Sequence, residues 1–195
     1  MKTQTKKGIS TKVIALTAIL TALVVILQFL GQFVRFGPFA ISLVLIPIVI
    51  GAATCGPKAS AWLGLVFGAV VLISDAQVFI AINLVGTIVT VFLKGFLAGL
   101  LSGIAYKLIA KKNVYLAVFV SAIVCPIVNT GVFLMGCVVF FMDAIVEWSA
   151  SLGFASAFEY MILGMVGVNF LIEIATNVIL SPVVVRLLNI RERAK

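Results

Sequence analysis

Long apolar runs separated by short polar turns make up most of the chain. About 20 apolar residues in a helix are enough to cross the hydrocarbon core of a bilayer. The pattern predicts transmembrane helices at about residues 11–31, 41–54, 59–75, 86–108, 114–142 and 160–188. The second run is short and contains Pro47, which predicts a helix that is kinked, tilted or partly buried by its neighbours. The expected fold class is an all-α integral membrane protein, with six transmembrane helices in a single transmembrane domain over residues 1–195.

The segments around these runs are polar. The chain begins with a basic stretch that ends at Lys12, and the apolar run after it has about 19 residues. The apolar core of a signal peptide is usually about 7–15 residues long and is followed by a small-residue cleavage site, so we interpret this run as a retained first helix. We expect outer loops at Gln32–Ile41 and Asp75–Val85, and an interfacial helix within Asp143–Glu159.

The distribution of charge predicts the orientation of the helices. With both ends inside, all but two of the 14 Lys and Arg residues fall on the inner side, and the exceptions are Arg35 outside and Lys94 within a span. The inner residues are Lys2, Lys6, Lys7, Lys12, Lys58, Lys107, Lys111, Lys112, Arg186, Arg191, Arg193 and Lys195. Cytoplasmic loops are rich in Lys and Arg. The pattern therefore favours an N-in, C-in topology.

Composition agrees with a multi-pass membrane protein. Hydrophobic residues make up 64% of the chain, charged residues make up 10%, and the mean hydropathy is +1.32. A soluble domain has about 25% charged residues. The formal net charge of +8 is explained by the inner basic turns, which also suit anionic lipid head groups. We expect the lipid bilayer as a partner and no nucleic acid.

The residues that enzymes usually need are largely missing. The chain contains no His, which is the commonest general base and metal ligand. Cys55, Cys125 and Cys137 are scattered, without a CxxC pair. We find no GxxxxGK[ST] motif and no acidic cluster suited to magnesium and phosphate. We expect no catalytic residues, no metal site and no cofactor.

Lys94 is the most informative residue of the sequence. It lies well inside the fourth apolar run, too far from either end to reach the membrane surface easily. A charge at that depth costs roughly 2.5–3.5 kcal/mol on insertion scales, so it normally faces a partner, a cavity or a ligand. Other polar residues inside the spans are the pair Asn129 and Thr130, which follows Pro126, and Asn169, Glu173 and Asn177, which share one helix face.

Two interpretations of these residues remain open. In the first, Lys94 and Glu173 form a buried ion pair that allows both residues to be inserted in the membrane. In the second, Lys94 contacts an anionic or strongly hydrogen-bonding group of a ligand. The two are compatible if the pair opens to admit ligand. The hypothesis for a binding site places Lys94, Asn129, Asn169, Glu173 and Asn177 around the ligand, with Phe79 and Trp148 closing over it. The pair Asn129–Thr130 alternatively forms hydrogen bonds between helices.

Stripes of small residues lie on the first and third predicted helices. Ala15, Ala18 and Ala22 recur on one face of the first helix, and Gly64 and Gly68 are four residues apart on the third. Small residues allow close helix packing in lipid. These five residues also predict a flat outer face on which a partner protein can dock.

Several motifs in this order resemble the substrate-binding S components of energy-coupling factor (ECF) vitamin transporters. They are Ala18-Ile-Leu-Thr-Ala22, Ile46-Pro-Ile-Val-Ile-Gly51 with Gly56-Pro-Lys58, Gly64-Leu-Val-Phe-Gly68, Leu93-Lys-Gly95 with Ala98-Gly99, Asn129-Thr130, Asn169-Phe-Leu-Ile-Glu173 and Ser181-Pro-Val-Val-Val-Arg186. The resemblance covers roughly Thr11 to Arg186. Each motif alone is weak, and their joint order with the predicted topology carries the resemblance.

The resemblance implies a subunit in a bacterial cytoplasmic membrane that captures a micronutrient from outside. It implies that helices one to three dock onto a transmembrane coupling protein that is bound to two ATPases, with Ala18 and Ala22 in the contact. The subunit would then topple in the membrane and release its cargo inward. Where the family often has an arginine before the fourth-helix glycine, this chain has Lys94. A lysine carries a compact charge and cannot bind a carboxylate through two parallel hydrogen bonds as an arginine does. Lys94 still favours an anionic group on the ligand.

The identity of the solute stays open. A carboxylate-bearing vitamin such as pantothenate suits Lys94, and other micronutrients are not excluded. Two alternatives to this function also stand: a self-sufficient channel or secondary carrier for small solutes, and a membrane assembly protein without a ligand. A secondary carrier often contains internal repeats, and we find none in the sequence.

Overall fold

A computed structural model of the chain describes residues 11–33, 35–36, 39–40 and 43–193. The helices are α1 (Thr11–Gly31), α2 (Leu45–Cys55), α3 (Pro57–Ser74), α4 (Gln77–Ile82), α5 (Leu84–Ile109), α6 (Val114–Phe140), α7 (Met142–Ser151), α8 (Ala157–Glu159) and α9 (Val168–Arg193), with a π-helix at Tyr160–Gly167 between the last two. Two short antiparallel strands, β1 (Arg35–Phe36) and β2 (Phe39–Ala40), follow α1, with Phe36 opposite Phe39. The predicted basic residues Lys2, Lys6, Lys7 and Lys195 lie outside the described residues.

Five of the described helices are long and apolar enough to cross a membrane. They are Thr11–Gly31, Pro57–Ser74, Leu84–Ile109, Val114–Phe140 and the continuous helix Ala157–Asn189. The second predicted span is shorter than expected, because α2 has only 11 residues. At a rise of about 1.5 Å per residue it is roughly half as long as the hydrocarbon core is thick.

The short helix α2 lies at the centre of the bundle. It contacts α1, α3, α5, α6 and α9. Leu45, Ile48 and Val49 are buried in the main apolar core. Pro47 occupies the first turn of α2, where a backbone N–H would have no helical partner, so this proline needs no kink. Burial among its neighbours, one of the expected arrangements, is the one that the structure has.

Glycines bring α3 and α5 into backbone contact. A Cβ atom at Gly64 would overlap the carbonyl oxygen of Gly95, and a Cβ at Gly68 would lie 2.7 Å from the carbonyl oxygen of Val91. Gly64 and Gly68 are both buried. Their assignment to a partner-docking face was therefore wrong, because the stripe faces α5 inside the bundle. The sequence pattern shows that a stripe exists but does not show which neighbour it faces.

The segments that were predicted to connect the membrane spans on the outer side contain more helix than expected. The stretch predicted as a loop before the fourth span contains α4, and the Asn83 side chain caps α5 by accepting a hydrogen bond from the Gly86 N–H at 2.8 Å. The predicted interfacial segment contains α7 and α8. The last span begins with the π-helix, in which Gly164 packs under the Tyr160 ring. Single π-helical turns are frequent at functional sites.

The glycine contact between α3 and α5 predicts a strong effect of one methyl group. We expect Gly64→Ala to lower the free energy of unfolding by about 1–3 kcal/mol, since the obstacle is backbone and cannot move aside. Gly131→Ala on α6 is the matched control, because no atom lies within 4 Å of its Cβ position. Thermal unfolding of both variants in detergent tests this, and equal midpoints contradict the proposed contact.

Candidate functional site

A cavity of about 100 Å³ lies among α1, α3, α4, α5, α6 and the last long helix. That volume holds several water molecules or part of a small solute, given about 10–15 Å³ for one water. Its charged lining residues are Asp75, Lys94 and Glu173. Its neutral polar lining residues are Gln28, Thr87, Thr90, Asn129, Thr130 and Asn169. Its aromatic lining residues are Phe79, Phe133, Phe141 and Phe170. The cavity thus has both a polar and an aromatic wall.

Lys94 lies in the wall of this cavity. It is ten residues from the first residue of α5, Leu84, or about 15 Å along the helix axis. Its Nζ lies 5.2 Å from the ring centroid of Phe67 and 5.4 Å from that of Phe133. The charges of Glu173 and Asp75 act on it from the same cavity. Two aromatic faces and an adjoining cavity therefore surround the ammonium group.

Two buried polar atoms in the cavity wall also have no hydrogen-bond partner within the described part of the chain. They are Oδ1 of Asn129 and Oγ1 of Thr90, and both residues are 4% exposed. A buried polar group without a partner costs about 1–3 kcal/mol. Native proteins avoid that cost with water or a ligand, so these two atoms are candidates for hydrogen bonds to a bound water or solute.

The polar face of α9 reaches the cavity only in part. Asn169 and Glu173 line it. Asn177, which was predicted to contact ligand as well, is buried one turn further along the helix and does not line the cavity. Its Nδ2 donates a hydrogen bond to the backbone carbonyl oxygen of Glu173 at 2.8 Å. Lys94 and Glu173 share the cavity, and Glu173 is the carboxylate whose charge acts most strongly on Lys94, while the ion pair between them stays a prediction.

Phe79 anchors the aromatic wall. Its ring makes edge-to-face contacts with Phe133 at 5.7 Å, Phe141 at 4.9 Å and Trp148 at 5.9 Å between centroids. Phe79 lines the cavity, whereas Trp148 packs behind it and does not. Trp148 therefore supports the wall of the site.

A buried polar link between α1 and α3 was not predicted. Gln28 donates through Nε2 to Oδ2 of Asp75 at 2.6 Å, and the Ser74 hydroxyl donates to the same oxygen at 3.0 Å. Both Gln28 and Asp75 line the cavity. Gln28 is the only strongly polar side chain late in the first apolar run, and that isolation was the available signal.

The predicted alanine face of α1 points away from the cavity. Ala15, Ala18 and Ala22 are all exposed. Nearby, Trp62 of α3 donates through Nε1 to Oγ1 of Thr21 at 3.2 Å, which ties the two helices together on this side. The docking role of these alanines stays a prediction.

Comparison with known proteins identifies the family. A family model described as "ECF transporter, substrate-specific component" matches residues 12–185. The chain belongs to this family. As an ECF substrate-specific component it is a non-catalytic, substrate-binding subunit of a membrane transporter, which works with membrane coupling and ATPase subunits. No curated protein and no solved structure shows a significant match to the chain.

The two threonines of α5 in the cavity wall provide a test of the site. Thr87 donates from Oγ1 to the Asn83 carbonyl oxygen at 2.7 Å, whereas Thr90 has no described partner. We expect Thr87→Val to lose about 0.5–1.5 kcal/mol of unfolding free energy in the ligand-free protein, and Thr90→Val to lose none. Denaturation in detergent measures both, and an equal loss in Thr90→Val contradicts the assignment of an unsatisfied hydroxyl.

Proposed function

We propose that this ECF substrate-specific component captures a vitamin-class micronutrient from outside the cell and that Lys94 binds the anionic or most polar group of the solute. Asn129, Asn169 and Glu173 complete the polar side of the site, and Phe79 forms the apolar side. ATP hydrolysis takes place on partner subunits.

The buried ammonium group of Lys94 carries this proposal. A charge at this depth costs roughly 2.5–3.5 kcal/mol on insertion scales. Two cation–π contacts return about 0.5–2 kcal/mol each, and the charges of Glu173 and Asp75 also act on the ammonium group. A ligand group in the adjoining cavity adds to this stabilisation. A purely structural lysine has no need of that cavity.

The direction of capture follows from the ends of the helices. Gln28 lies near the end of α1, Asp75 follows α3, and Thr87 lies near the start of α5, so the cavity is close to one end of the bundle. Lys12, Lys58, Lys107 and Arg186 lie at the opposite helix ends. The basic end faces the cytoplasm under the positive-inside rule. We propose an N-in, C-in arrangement of six membrane helices, with α2 as the shortened one.

Transport requires a surface of this subunit that docks onto the coupling protein. We propose that α1, α2 and α3 dock onto the coupling protein, with Ala15, Ala18 and Ala22 in the contact. Toppling of the bundle then carries the loaded cavity toward the cytoplasm. Small side chains on an exposed helix face permit the close approach that such a contact needs.

The two alternative functions differ in what the purified chain does alone. A channel or secondary carrier moves solute in liposomes without partners, and an assembly protein retains no solute. We expect the purified chain to release a bound micronutrient that mass spectrometry identifies, and liposomes to accumulate it only with the coupling and ATPase subunits and ATP. Accumulation by the chain alone contradicts the proposal.

Replacement of Lys94 tests the site directly. We expect Lys94→Ala to weaken binding of the identified micronutrient at least tenfold, or about 1.4 kcal/mol, because the site loses its cation. Lys107→Ala is the matched control, since Lys107 is an exposed lysine on the same helix. Isothermal titration calorimetry measures both affinities. Unchanged affinity in a normally expressed Lys94→Ala protein refutes the role of the lysine.

A further inference from the structure

Helices α5 and α6 run antiparallel, and two contacts beside the cavity define their register. The helices are joined by the turn at residues 110–113. A Cβ atom at Gly136 of α6 would overlap the side chain of Thr90 on α5. One turn further along α5, the Lys94 Nζ lies 5.4 Å from the ring centroid of Phe133. Residue numbers therefore fall along α6 as they rise along α5.

This register places Asn129 deeper in the bundle than Lys94. Asn129 lies one turn of α6 before Phe133, which contacts the Lys94 ammonium group, and two turns before Gly136, which faces Thr90. Seven residues of helix span about 10 Å. Thr90, Lys94 and Asn129 all line the cavity. The cavity is therefore elongated, with Thr90 toward the end of the bundle at which α5 starts and Asn129 deeper inside.

Thr90 and Asn129 have polar atoms that a solute can satisfy. Oγ1 of Thr90 and Oδ1 of Asn129 have no hydrogen-bond partner within the part of the chain that the structure describes, and each residue is 4% exposed. Thr90 lies one turn before Lys94 on the same face of α5, where side chains are about 5–6 Å apart, so both can contact one group of a solute. Oδ1 of Asn129 is an acceptor and requires a donor, such as a hydroxyl or an amide N–H.

The volume and the lining of the cavity agree with an extended occupant. At about 10–15 Å³ for each water, the volume of about 100 Å³ holds roughly seven to ten waters. Bonded atoms lie closer together than neighbouring waters, so the same space takes a solute of about ten or more non-hydrogen atoms. Val91 and Phe133 line the cavity between its two polar ends. The middle of the solute therefore contacts apolar side chains.

We propose that the site takes an extended monocarboxylate whose far end is a neutral hydrogen-bond donor. Thr90 and Lys94 hold the carboxylate, and Asn129 accepts a hydrogen bond from the far end. The solute therefore enters with its neutral end first. This deepens the proposed function and rests on it, since it requires that the cavity binds solute. Thr90 and Asn129 are then specificity-determining residues, one for each end of the solute.

Four carboxylates that differ in length and polarity test the ligand class. Biotin and pantothenate are extended and carry donor groups far from the carboxylate. Lipoate has the pentanoate chain of biotin but an apolar far end, and nicotinate is compact. Calorimetry measures their binding to the purified full chain. We expect biotin or pantothenate to bind at least tenfold more tightly than both lipoate and nicotinate. The proposal is overturned if lipoate or nicotinate binds as tightly as the better of the other two, or if neither biotin nor pantothenate binds.

The variants Asn129→Leu and Thr90→Val test the two ends separately. We expect Asn129→Leu to weaken binding of the tighter of biotin and pantothenate at least tenfold, and binding of lipoate less than twofold, because lipoate has no donor at its far end. Thr90→Val removes a contact of the carboxylate, so we expect it to weaken binding of both probes at least threefold. A merely structural or water-binding role changes the midpoint of unfolding and leaves these affinities unchanged, and that result overturns the proposal.

Two matched control variants lie away from the site. Thr17 of α1 donates from Oγ1 to the Val13 carbonyl oxygen at 2.8 Å, and Asn189 is exposed near the end of α9. Neither is among the described residues that line the cavity. We expect Thr17→Val and Asn189→Leu to leave all four affinities unchanged. Equal losses of biotin and lipoate affinity in Asn129→Leu contradict the assignment of Asn129 to the far end.

Failure of this inference is distinguishable from failure of the proposed function. Tight binding of nicotinate or lipoate overturns the ligand class and leaves solute capture intact. Retention of no micronutrient by the wild-type chain, as measured by mass spectrometry, removes both.

Discussion

The direct backbone contact between α3 and α5 determines where the other parts of the molecule lie. Gly64 and Gly95 face each other, and Gly99 packs on the carbonyl of Ser60. Helices in lipid gain little from the hydrophobic effect, so they associate through such close van der Waals packing. Lys94 precedes Gly95, and the contact therefore places it beside Phe67 of α3 and at the edge of the cavity. A bulkier contact would move the lysine away from both.

The cavity and most of the glycine contact lie toward opposite ends of α5. Glycines draw α3 and α5 together along the second half of α5, where Gly95, Gly99 and Gly103 are buried. Toward the other end α5 contributes Thr87, Thr90 and Val91 to the cavity lining. Asn129 on α6 and Met165 in the π-helix line the same space. The connections that carry Asp75, Ala76 and Phe141 complete the lining.

Hydropathy alone predicted most of the helices, because each long apolar run has one stable arrangement in a membrane. The end of α1 was predicted at about Gly31, where the structure has it. α4 was missed, since it has six residues and no long apolar run. The π-helix left no sequence signal, because the choice between i+4 and i+5 hydrogen bonds depends on packing such as that of Gly164 under Tyr160.

The site residues that could be predicted from the sequence are those whose polar side chains are energetically unfavourable inside a membrane. Lys94, Asn129 and Glu173 stand out, because a charge or an amide inside an apolar run requires a reason. Thr90 does not stand out, since helical threonines usually bond the carbonyl four residues earlier, as Thr87 does. Asn177 was placed in the site from its spacing alone. The cavity lining on this helix ends at Glu173, one turn before Asn177.

The fixed positions of its polar groups suit the cavity to binding. The Lys94 cation is held by aromatic faces, and the Asp75 carboxylate is held by Gln28 and Ser74. Groups that are already fixed do not need to rearrange when a ligand arrives, and such preorganisation lowers the free-energy cost of binding. The helices provide this arrangement before any solute is present, so the binding energy of the solute remains available for the steps that follow capture.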